Sequence, residues 1–418
     1  MHKKLIAGIF VFFFFVCVVA ACGNSVPSDM RPFPYPYQSM VALCSDIDGT
    51  TPREFEDYHK FLNTHDATEM GQGLGLDVAD SFWMYMNNDG DEIMDRDGGS
   101  YEEVMTYYQG VSSKIKNGEL IRYYLRCGWI DCIHSYGDFS RKDQNEKLFT
   151  RALAEQADAE LRVWDLWPSV WINHGNAANI QNMETGKRRT YRQGARPESD
   201  AYHADITIPA GIKFIWFSDL DSTFCRNNML YPVTLADGQK VWGFRRYTKH
   251  WNTYEIDRQL TDAHLDECIQ KKRPAIVTQH LGGTALYQPF GTTARDALRR
   301  LAERQERGEI LVVRTSRLLE YLRVRDHLVY EIVDSVVNIL AIDDPQLGYD
   351  DTPAIDALRG MTFYVEDMDA SVILIGGEFV SEDFLVRATD ETGRATVGIS
   401  WFEADTRNYI WGAAELPH

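Results

Sequence analysis

The stretch VALCSDIDGTT (41–51) ends an apolar run with two aspartates, Asp46 and Asp48, that are separated by one residue. Side chains two positions apart on a strand point to the same face. Two carboxylates on one face can hold a divalent cation, or one can bind the cation while the other accepts a proton. The stretch therefore predicts a metal or acid–base site, and a plain Asp- and Gly-rich turn is the alternative.

A second cluster, WIDCIHSYGDF (129–139), contains His134 and, four residues later, Asp138. If the chain turns helical after His134, the two side chains fall on the same side, one turn apart. An imidazole and a carboxylate at that spacing suit two ligands of one metal ion. Together with the paired aspartates, this cluster favours a metal site.

Two further histidines follow apolar runs, His174 in SVWINHGN and His280 in AIVTQHLG. Several amide side chains come after His174, and Asn176 is the first of them. Amides at this density suit hydrogen bonds to sugar hydroxyls, and they suit a polar loop equally well.

The residues that could carry chemistry cluster at the ends of apolar runs of strand length. These runs are MVALCS, SFWMYM, WIDCI, SVWIN, IKFIWFS, AIVTQ and ILVV, and the last three precede Asp219 with Asp221, His280, and Arg314, respectively. Helical patterns separate the runs, and alternating strands and helices imply parallel strands. We therefore expect a closed or nearly closed α/β barrel over residues 40–327, with its active site at the carboxyl ends of the strands.

The sequence predicts three helices for which the position of at least one end can also be predicted. Leu120 and Leu125 belong to one apolar face, and Gly128 stands where that helix would stop. The stretch TTARDALRRLAERQER predicts another helix, closed by Gly308. Ser100 and Glu103 have the spacing of a capping box, which predicts a helix beginning YEEVMTYY.

The pattern changes after about His327. The stretches MTFYVEDMDASVILIGGEF and RATVGISWFEA alternate apolar and polar residues, with Gly- and Asp-containing turns. This alternation predicts a small antiparallel, sandwich-like β domain over residues 328–418. Such a domain could dock on the barrel, bind carbohydrate or contact another chain.

The composition is that of a globular protein. The chain has 418 residues, 44% of them hydrophobic, and a formal net charge of −19. It can therefore bury a sizeable core in two or three domains, and its charge argues against a nucleic-acid partner. Seven cysteines occur without a Cys-x-x-Cys pair, which indicates neither a disulfide framework nor a zinc ribbon.

The N-terminus has the pattern of a targeting signal. Two lysines precede the apolar run LIAGIFVFFFFVCVVA, which predicts a signal peptide over residues 1–21. The end of the run, VAACG (19–23), resembles a bacterial lipobox, in which the cysteine, here Cys22, is lipidated. Residues 22–39 then form a Pro-rich tether. This predicts a lipid-anchored protein of the bacterial cell envelope, on the outer membrane in a Gram-negative cell; an uncleaved membrane anchor is the alternative.

The order of the clusters resembles the polysaccharide deacetylase family, carbohydrate esterase family four, over Val41 to Arg325. That family opens with a strand ending in Asp-Asp-Gly, continues with His-Ser/Thr-x-x-His and closes with Leu-His or similar at a late strand. SDIDG, HSYGD and TQHLG occupy these places. The sequence departs in that Ile47 separates the aspartates, Asp138 replaces the second histidine, and the family's middle Arg-x-Pro motif has no counterpart.

The resemblance implies a distorted (β/α)7 barrel that removes acetyl groups from a polysaccharide. It implies that Asp48 and His134 bind the metal with Asp138 as third ligand, that Asp46 is the general base and that His280 is the general acid. Zinc is the usual metal of the family, and two carboxylates with one imidazole also suit manganese or cobalt. We expect the substrate to contact His174, Asn176, Asp219, Asp221 and Arg314.

Two other functions account for part of the sequence. DIDGT matches the Asp-x-Asp-Gly-Thr opening of haloacid dehalogenase-like phosphatases, in which Asp46 would be the nucleophile, Asp48 the acid/base and magnesium the cofactor. That family also needs a lysine and a Ser/Thr that are not clearly placed here, and it leaves the histidines unexplained. The altered motifs also fit a barrel that binds glycan without cleaving it, and a glycoside hydrolase with paired acids is conceivable.

Overall fold

The computed structural model describes residues 28–87, 92–94, 101–140, 148–175, 177–186, 189–283 and 289–412. The protein is a mixed α/β structure with one large sheet and several smaller ones. The predicted signal peptide, Cys22 and Asn176 lie outside the described residues. Across the described ranges, none of the helices combines the length and apolar character that crossing a membrane requires.

The large sheet has nine strands in the described residues. In chain order they are β1 (Ser39–Ser45), β2 (Asp80–Phe82), β3 (Ile130–His134), β4 (Val170–Ile172), β5 (Phe214–Trp216), β6 (Leu230–Thr234), β7 (Lys240–Phe244), β8 (Ala275–Gln279) and β9 (Ile310–Val312). Their order in space is β6-β7-β5-β4-β3-β2-β1-β8, and β9 lies beside the first three residues of β1. Neighbouring strands are parallel except β6 and β7.

Eight α-helices occur in the described residues. They are α1 (Pro52–Asn63), α2 (Gly118–Cys127), α3 (Arg151–Val163), α4 (Ala204–Thr207), α5 (Ile256–Gln259), α6 (Asp262–Lys271), α7 (Thr292–Glu306) and α8 (Thr315–His327). The helix predicted to end at Gly128 is confirmed as α2, and that glycine takes the left-handed conformation (φ 80°) of a helix end. The helix predicted before Gly308 is confirmed as α7.

The helix predicted to begin at YEEVMTYY is absent, and that prediction was wrong. Tyr101–Glu103 is instead a strand paired with Glu92–Met94. The five residues from Val104 to Tyr108 are all buried. A surface helix buries one face only, so an unbroken buried run favours an extended chain. Two other short strand pairs join Ala67–Thr68 with Gly71–Gln72, and Tyr85–Met86 with Gly137–Asp138.

Alternate residues of the strands face two different cores. Val41 and Leu43 of β1 share a core with residues of α1, α2, α3, α6 and α7. Met40, Ala42 and Cys44 share a core with residues of β3, β4, β5, β7, β8 and β9, with α8 and with the C-terminal domain. The sheet therefore curls around this second core, which we call the inner core. Burial of both faces explains why the strands are apolar throughout.

Strand–helix alternation is kept only in part. The connection from β4 to β5 forms one short helix, α4, in its described residues, and the antiparallel β6 comes between β5 and β7. Beyond β7, bridges from Tyr247 to Val277 and from Asn252 to His280 bring the chain alongside β8. The observed architecture is a curled, mostly parallel sheet with the character of a partial barrel.

A β domain begins where the sequence pattern changes, since α8 ends at His327 and a strand starts at Leu328. Its strands are β10 (Leu328–Val333), β11 (Val336–Asp344), β12 (Gly348–Asp350), β13 (Thr362–Tyr364), β14 (Val372–Ile375), β15 (Glu378–Phe379), β16 (Leu385–Thr389) and β17 (Ala395–Ile399). One sheet has the order β10-β11-β14-β15 with β12 beside β11, and the other has the order β13-β17-β16. All pairs are antiparallel except β11 with β14, which is parallel.

Part of the predicted Pro-rich tether is folded onto this domain. Met30 forms an antiparallel bridge with Phe363 and is buried. Arg31 is also buried, and its guanidinium binds Asp390 at 2.9 Å and Glu391 at 2.8 Å. The prediction of an extended tether up to residue 39 is therefore wrong for this part, because apolar and ion-pair contacts hold it in place.

The first test concerns Arg31. Arg31→Ala leaves the carboxylate of Asp390 buried without its cation, and we expect the free energy of unfolding to fall by about 3 kcal/mol. Urea denaturation followed by circular dichroism measures the change. Arg407→Ala is the matched control, because its pair with Asp405 lies at the surface and is worth less than about 1 kcal/mol. Equal losses in both variants would contradict the buried role of Arg31.

Candidate metal centre

The candidate site is the polar end of the inner core. On β1, Asp46 follows Cys44 two positions later and so continues the same face. By the same alternation, His134 ends β3, His174 stands two residues after β4, and His280 directly follows β8. Because the strands are parallel, these ends meet at one edge of the sheet.

Ile47 lets the two aspartates share this edge. Its side chain is fully buried in the core beneath the helices, and its N–H donates to Ser81 Oγ at 3.0 Å. Asp46 and Asp48 therefore both point toward the inner side of the sheet. The residue that separates the aspartates in this sequence thus preserves their common face.

Asp48, His134 and His174 form a possible metal-binding triad. Their ligand-type atoms all lie within 4.8 Å of one another. His134 Nδ1 is 3.3 Å from Asp48 Oδ2, and His174 Nδ1 is 3.6 Å from Asp48 Oδ1 and 3.1 Å from His134 Nε2. One carboxylate and two imidazoles are a common donor set of catalytic zinc sites.

Orphaned polar atoms in the triad fit a cation. Within the described residues, Asp48 Oδ2 and His134 Nδ1 are buried and have no hydrogen-bond partner. Such atoms are costly to bury, and a cation between them would satisfy both. Burial lowers the pKa of His134 to about 4, against the raising effect of Asp46 and Asp48. The imidazole is therefore neutral at neutral pH, as a metal ligand must be.

The chain after His134 does not turn helical, in contrast to the prediction. Ser135 and Tyr136 have positive φ angles of 58° and 60°, which are uncommon for residues other than glycine. Gly137–Asp138 then pairs in parallel with Tyr85–Met86. This turn carries Asp138 away from the position that one helical turn would have given it.

Asp138 is consequently not a member of the triad, and His174 takes the place expected for it. Asp138 Oδ1 lies 3.5 Å from His174 Nε2, the ring nitrogen that faces away from Asp48. Its carboxylate also accepts hydrogen bonds from Ser140 N and Oγ at 2.9 and 2.8 Å. A carboxylate behind a metal-ligating imidazole orients the ring, so Asp138 is placed to support His174.

Asp46 is bound by an arginine that the motifs do not reveal. Arg246 is fully buried and donates from its two terminal nitrogens to the two oxygens of Asp46, at 2.7 and 3.1 Å. Its guanidinium carbon lies 3.6 Å from the centre of the Trp216 ring. Burial alone would raise the pKa of Asp46, but Arg246 outweighs it and the pKa falls to about 2. One signal in the sequence could have revealed Arg246: it stands two residues beyond Phe244, which ends β7 and faces the inner core.

His280 lies on another side of Asp48. Its Nε2 is 3.6 Å from Asp48 Oδ2, and its ring packs on Trp251 with 4.7 Å between centroids. Gly283 has a φ of 73°, and a Cβ there would lie 2.4 Å from the carbonyl oxygen of Asp48. The glycine therefore allows the loop after His280 to approach the Asp48 turn.

Two residues expected to contact substrate have other partners. The Arg314 side chain binds Asp77 at 2.9 Å, near the amino ends of β2 and β3. Arg314 lies away from the site because β9, which precedes it, pairs only with the first three residues of β1. The Asp221 carboxylate binds Arg226 and the backbone N–H of Thr223, so it serves its own turn. Asp219 is partly buried in the same loop.

The amides after His174 serve the loop rather than the surface. Asn179, Gln181 and Asn182 are fully buried. Asn182 accepts a hydrogen bond from the His174 N–H at 3.0 Å and donates one to the His174 carbonyl. The polar-loop interpretation is therefore correct for these three amides, and Asn182 fixes the backbone of a triad member.

The chain has no match among protein-family models or among curated proteins. Any proposal about its function therefore rests on the side chains gathered at this edge of the sheet. They are the Asp48–His134–His174 triad, the arginine-bound carboxylate of Asp46 and the imidazole of His280. In general, metal-assisted hydrolysis uses a metal ion beside a proton acceptor and a proton donor.

Asp80 is a buried carboxyl group that the motifs also do not reveal. It stands at the start of β2 and accepts a hydrogen bond from Tyr58 Oη of α1 at 2.6 Å. Burial raises the pKa of Asp80 to about 7, although Tyr58 and the backbone of Ser81 act to lower it. The folded protein therefore keeps this group protonated at pH values at which the unfolded chain has lost the proton.

Asp80 predicts a pH dependence of stability. Between the unfolded pKa, about 3.9, and the folded value, the folded state binds the extra proton, so the free energy of unfolding falls as pH rises. The loss is roughly 1.4 kcal/mol per pKa unit. We expect Asp80→Asn to flatten the dependence of the urea midpoint between pH 4 and 7. Asp326→Asn, at a more exposed site, is the control, and identical slopes in wild type and Asp80→Asn would contradict the assignment.

The triad predicts metal content. We expect Asp48→Ala, His134→Ala and His174→Ala each to lose bound divalent metal, because each removes one of three protein ligands. Asp138→Asn should keep the metal with 10–100-fold weaker affinity, since it only supports a ligand. Elemental analysis and competition with a chelator measure both effects. Unchanged metal in Asp48→Ala and His134→Ala would exclude the site, and loss of metal in Asp138→Asn equal to that in His174→Ala would restore Asp138 as a ligand.

Proposed function

We propose that the protein is a metal-dependent hydrolase of an envelope polysaccharide, most simply an N- or O-deacetylase. The observation that carries this proposal is the meeting of the Asp48–His134–His174 triad with Asp46 and His280 at one sheet edge. Zinc is the metal we propose, since two imidazoles and one carboxylate form a softer site than two carboxylates and one imidazole would. Manganese and cobalt are the alternatives for the metal test.

The bound cation would supply a Lewis acid for a substrate carbonyl oxygen and for water. Arg246 holds both oxygens of Asp46 and keeps this carboxylate ionised. Asp46 accepts a proton from the attacking water, and its fixed orientation removes the entropy cost of positioning it. His280, whose ring is held against Trp251, donates a proton to the departing amine or alcohol.

We also propose that the large sheet is a divergent, distorted (β/α)7 barrel over residues 40–327. Seven strands of the sheet, β1 to β5 with β7 and β8, are mutually parallel, and all of them except β2 contribute residues to one inner core. The bridges from Tyr247 to Val277 and from Asn252 to His280 support closure between β7 and β8. The C-terminal β domain, residues 328–418, is proposed to support this barrel.

The proposed location is the bacterial cell envelope. The apolar run of residues 5–20 and the VAACG stretch support a cleaved signal and a lipid on Cys22. This places the chain beside polysaccharide, which is the proposed substrate, and the net charge of −19 disfavours nucleic acid.

Two other functions remain as alternatives. In a haloacid dehalogenase-like phosphatase Asp46 would be the nucleophile, Asp48 the acid/base and magnesium the cofactor, but this alternative gives His134, His174 and His280 no role. A barrel that binds glycan without cleaving it would use the same edge of the sheet, and it differs from an enzyme in needing neither Asp46 nor His280 for chemistry.

Acetate release from acetylated oligosaccharides by the zinc-loaded protein tests the proposal. We expect Asp46→Asn and His280→Ala, each compared with wild type at matched metal content, to lower kcat by at least about 100-fold. Tyr254→Ala, an exposed side chain in the loop near His280, is the control. Glycan binding without acetate release would favour the binding protein. Magnesium-dependent hydrolysis of a phosphate ester that is lost in Asp46→Asn would favour the phosphatase.

A further inference from the structure

The described chain begins at the opposite end of the molecule from the candidate metal centre. The carbonyl of Ser28 accepts a hydrogen bond from Arg394, and Asp29 accepts one from Tyr330 Oη at 2.7 Å. From this contact with the β domain the chain runs to the amino end of β1, whereas Asp46 follows its carboxyl end. The seven residues of β1 alone separate the two ends by roughly 20 Å.

The sheet beside this entry point has one face whose side chains in β10 alternate with buried or half-buried neighbours and are exposed. Residues paired directly across strands share a face, so Val333 of β10, Val336 of β11 and Val372 of β14 form one row. Their neighbours in sequence face the other way, toward the inner core and the second sheet. We call the side that carries this valine row the outer face.

Most side chains of the outer face are apolar, and several of them are open to solvent. A second row joins Asn338 and Leu374 to Phe379, and Tyr349 is paired to Asp343 on the same side. Phe379 is 74% exposed, Tyr349 67% and Val333 58%. Clusters of large exposed apolar side chains mark surfaces that contact another molecule or a membrane.

The length of chain between Cys22 and the entry point limits the distance between the β domain and a lipid on Cys22. Six residue steps separate Cys22 from Ser28, and they reach at most roughly 20 Å when fully extended. A lipid on Cys22 therefore holds the β domain, rather than the metal centre, against the bilayer. Two acidic side chains, Glu331 and Asp343, lie on the outer face and disfavour anionic headgroups.

We propose that the outer face of the β10–β11–β14–β15 sheet rests on the surface of a zwitterionic bilayer and that the metal centre opens away from the membrane. This inference rests on the lipid anchor of the proposed function and is independent of the hydrolytic activity. Valine, leucine and aromatic side chains at the bilayer surface gain free energy by leaving water. The enzyme then acts on polymer that lies beyond the membrane surface rather than on lipid-bound sugar beneath it.

Hydroxyl-radical footprinting of the lipidated full chain in phosphatidylcholine vesicles tests this orientation. We expect the oxidation rates of Phe379 and Tyr349 to fall several-fold relative to the same protein carrying Cys22→Ser and free in solution. Trp251 and Tyr254, exposed at the opposite end, should keep their rates. Val333→Asp should restore more than half of the lost reactivity at Tyr349, whereas Leu220→Asp, exposed in the loop after β5, should change nothing.

Each other outcome overturns the proposal in a distinguishable way. Protein that sediments with vesicles while Phe379 and Tyr349 stay reactive is anchored but not docked on this face. Protection of Trp251 and Tyr254 instead means that the metal centre faces the membrane. Protection that appears without vesicles and grows with protein concentration assigns the face to a second copy of the chain. Wild-type protein that is isolated without a lipid on Cys22 and does not sediment with vesicles overturns the proposed anchor itself. None of these results bears on acetate release, which tests the proposed function separately.

Discussion

The buried pair of Asp46 and Arg246 is the interaction on which the site depends. It joins the end of β1 to the chain just beyond β7, 200 residues apart in sequence, across the inside of the curled sheet. A buried ion pair is costly unless its charges are well hydrogen-bonded. Here two parallel bonds join the pair and the Trp216 ring covers the guanidinium, whose Nε has no hydrogen-bond partner among the described residues. The pair thus holds the end of β1 and the chain beyond β7 in fixed positions beside the triad.

Strand alternation explains why a metal centre can form beside this pair. Apolar residues of the strands fill the middle of the inner core, and at the carboxyl ends of the strands the same face carries Asp46, His134, His174 and His280. Exposure grows in the same direction, from buried His134 to the partly open Asp48 and His280. The apolar side chains of the inner core exclude water from the region beneath the site, whereas the polar side chains at the strand ends face solvent.

The C-terminal domain completes the inner core at the other end of the strands. Residues of α8 pack in it together with residues of both β sheets, and Trp242 of β7 donates to Asp344 of β11. The segment from Met30 to Phe33 packs in the same core. The C-terminal domain therefore packs at one end of the strands, and the candidate metal centre lies at the other end.

Local patterns determined much of this protein from its sequence alone. Apolar runs predicted the strands, Gly128 and Gly308 predicted helix ends, the change after His327 predicted the β domain, and Asp48 with His134 predicted a metal site. What only the tertiary structure decided were long-range choices: His174 rather than Asp138 in the triad, Arg246 beside Asp46, and Arg314 away from the site. Local periodicity depends on residues that are close together in the sequence. Contacts between residues far apart in the chain decide the left-handed turn at Ser135 and Tyr136, the short reach of β9 and the curl of the sheet.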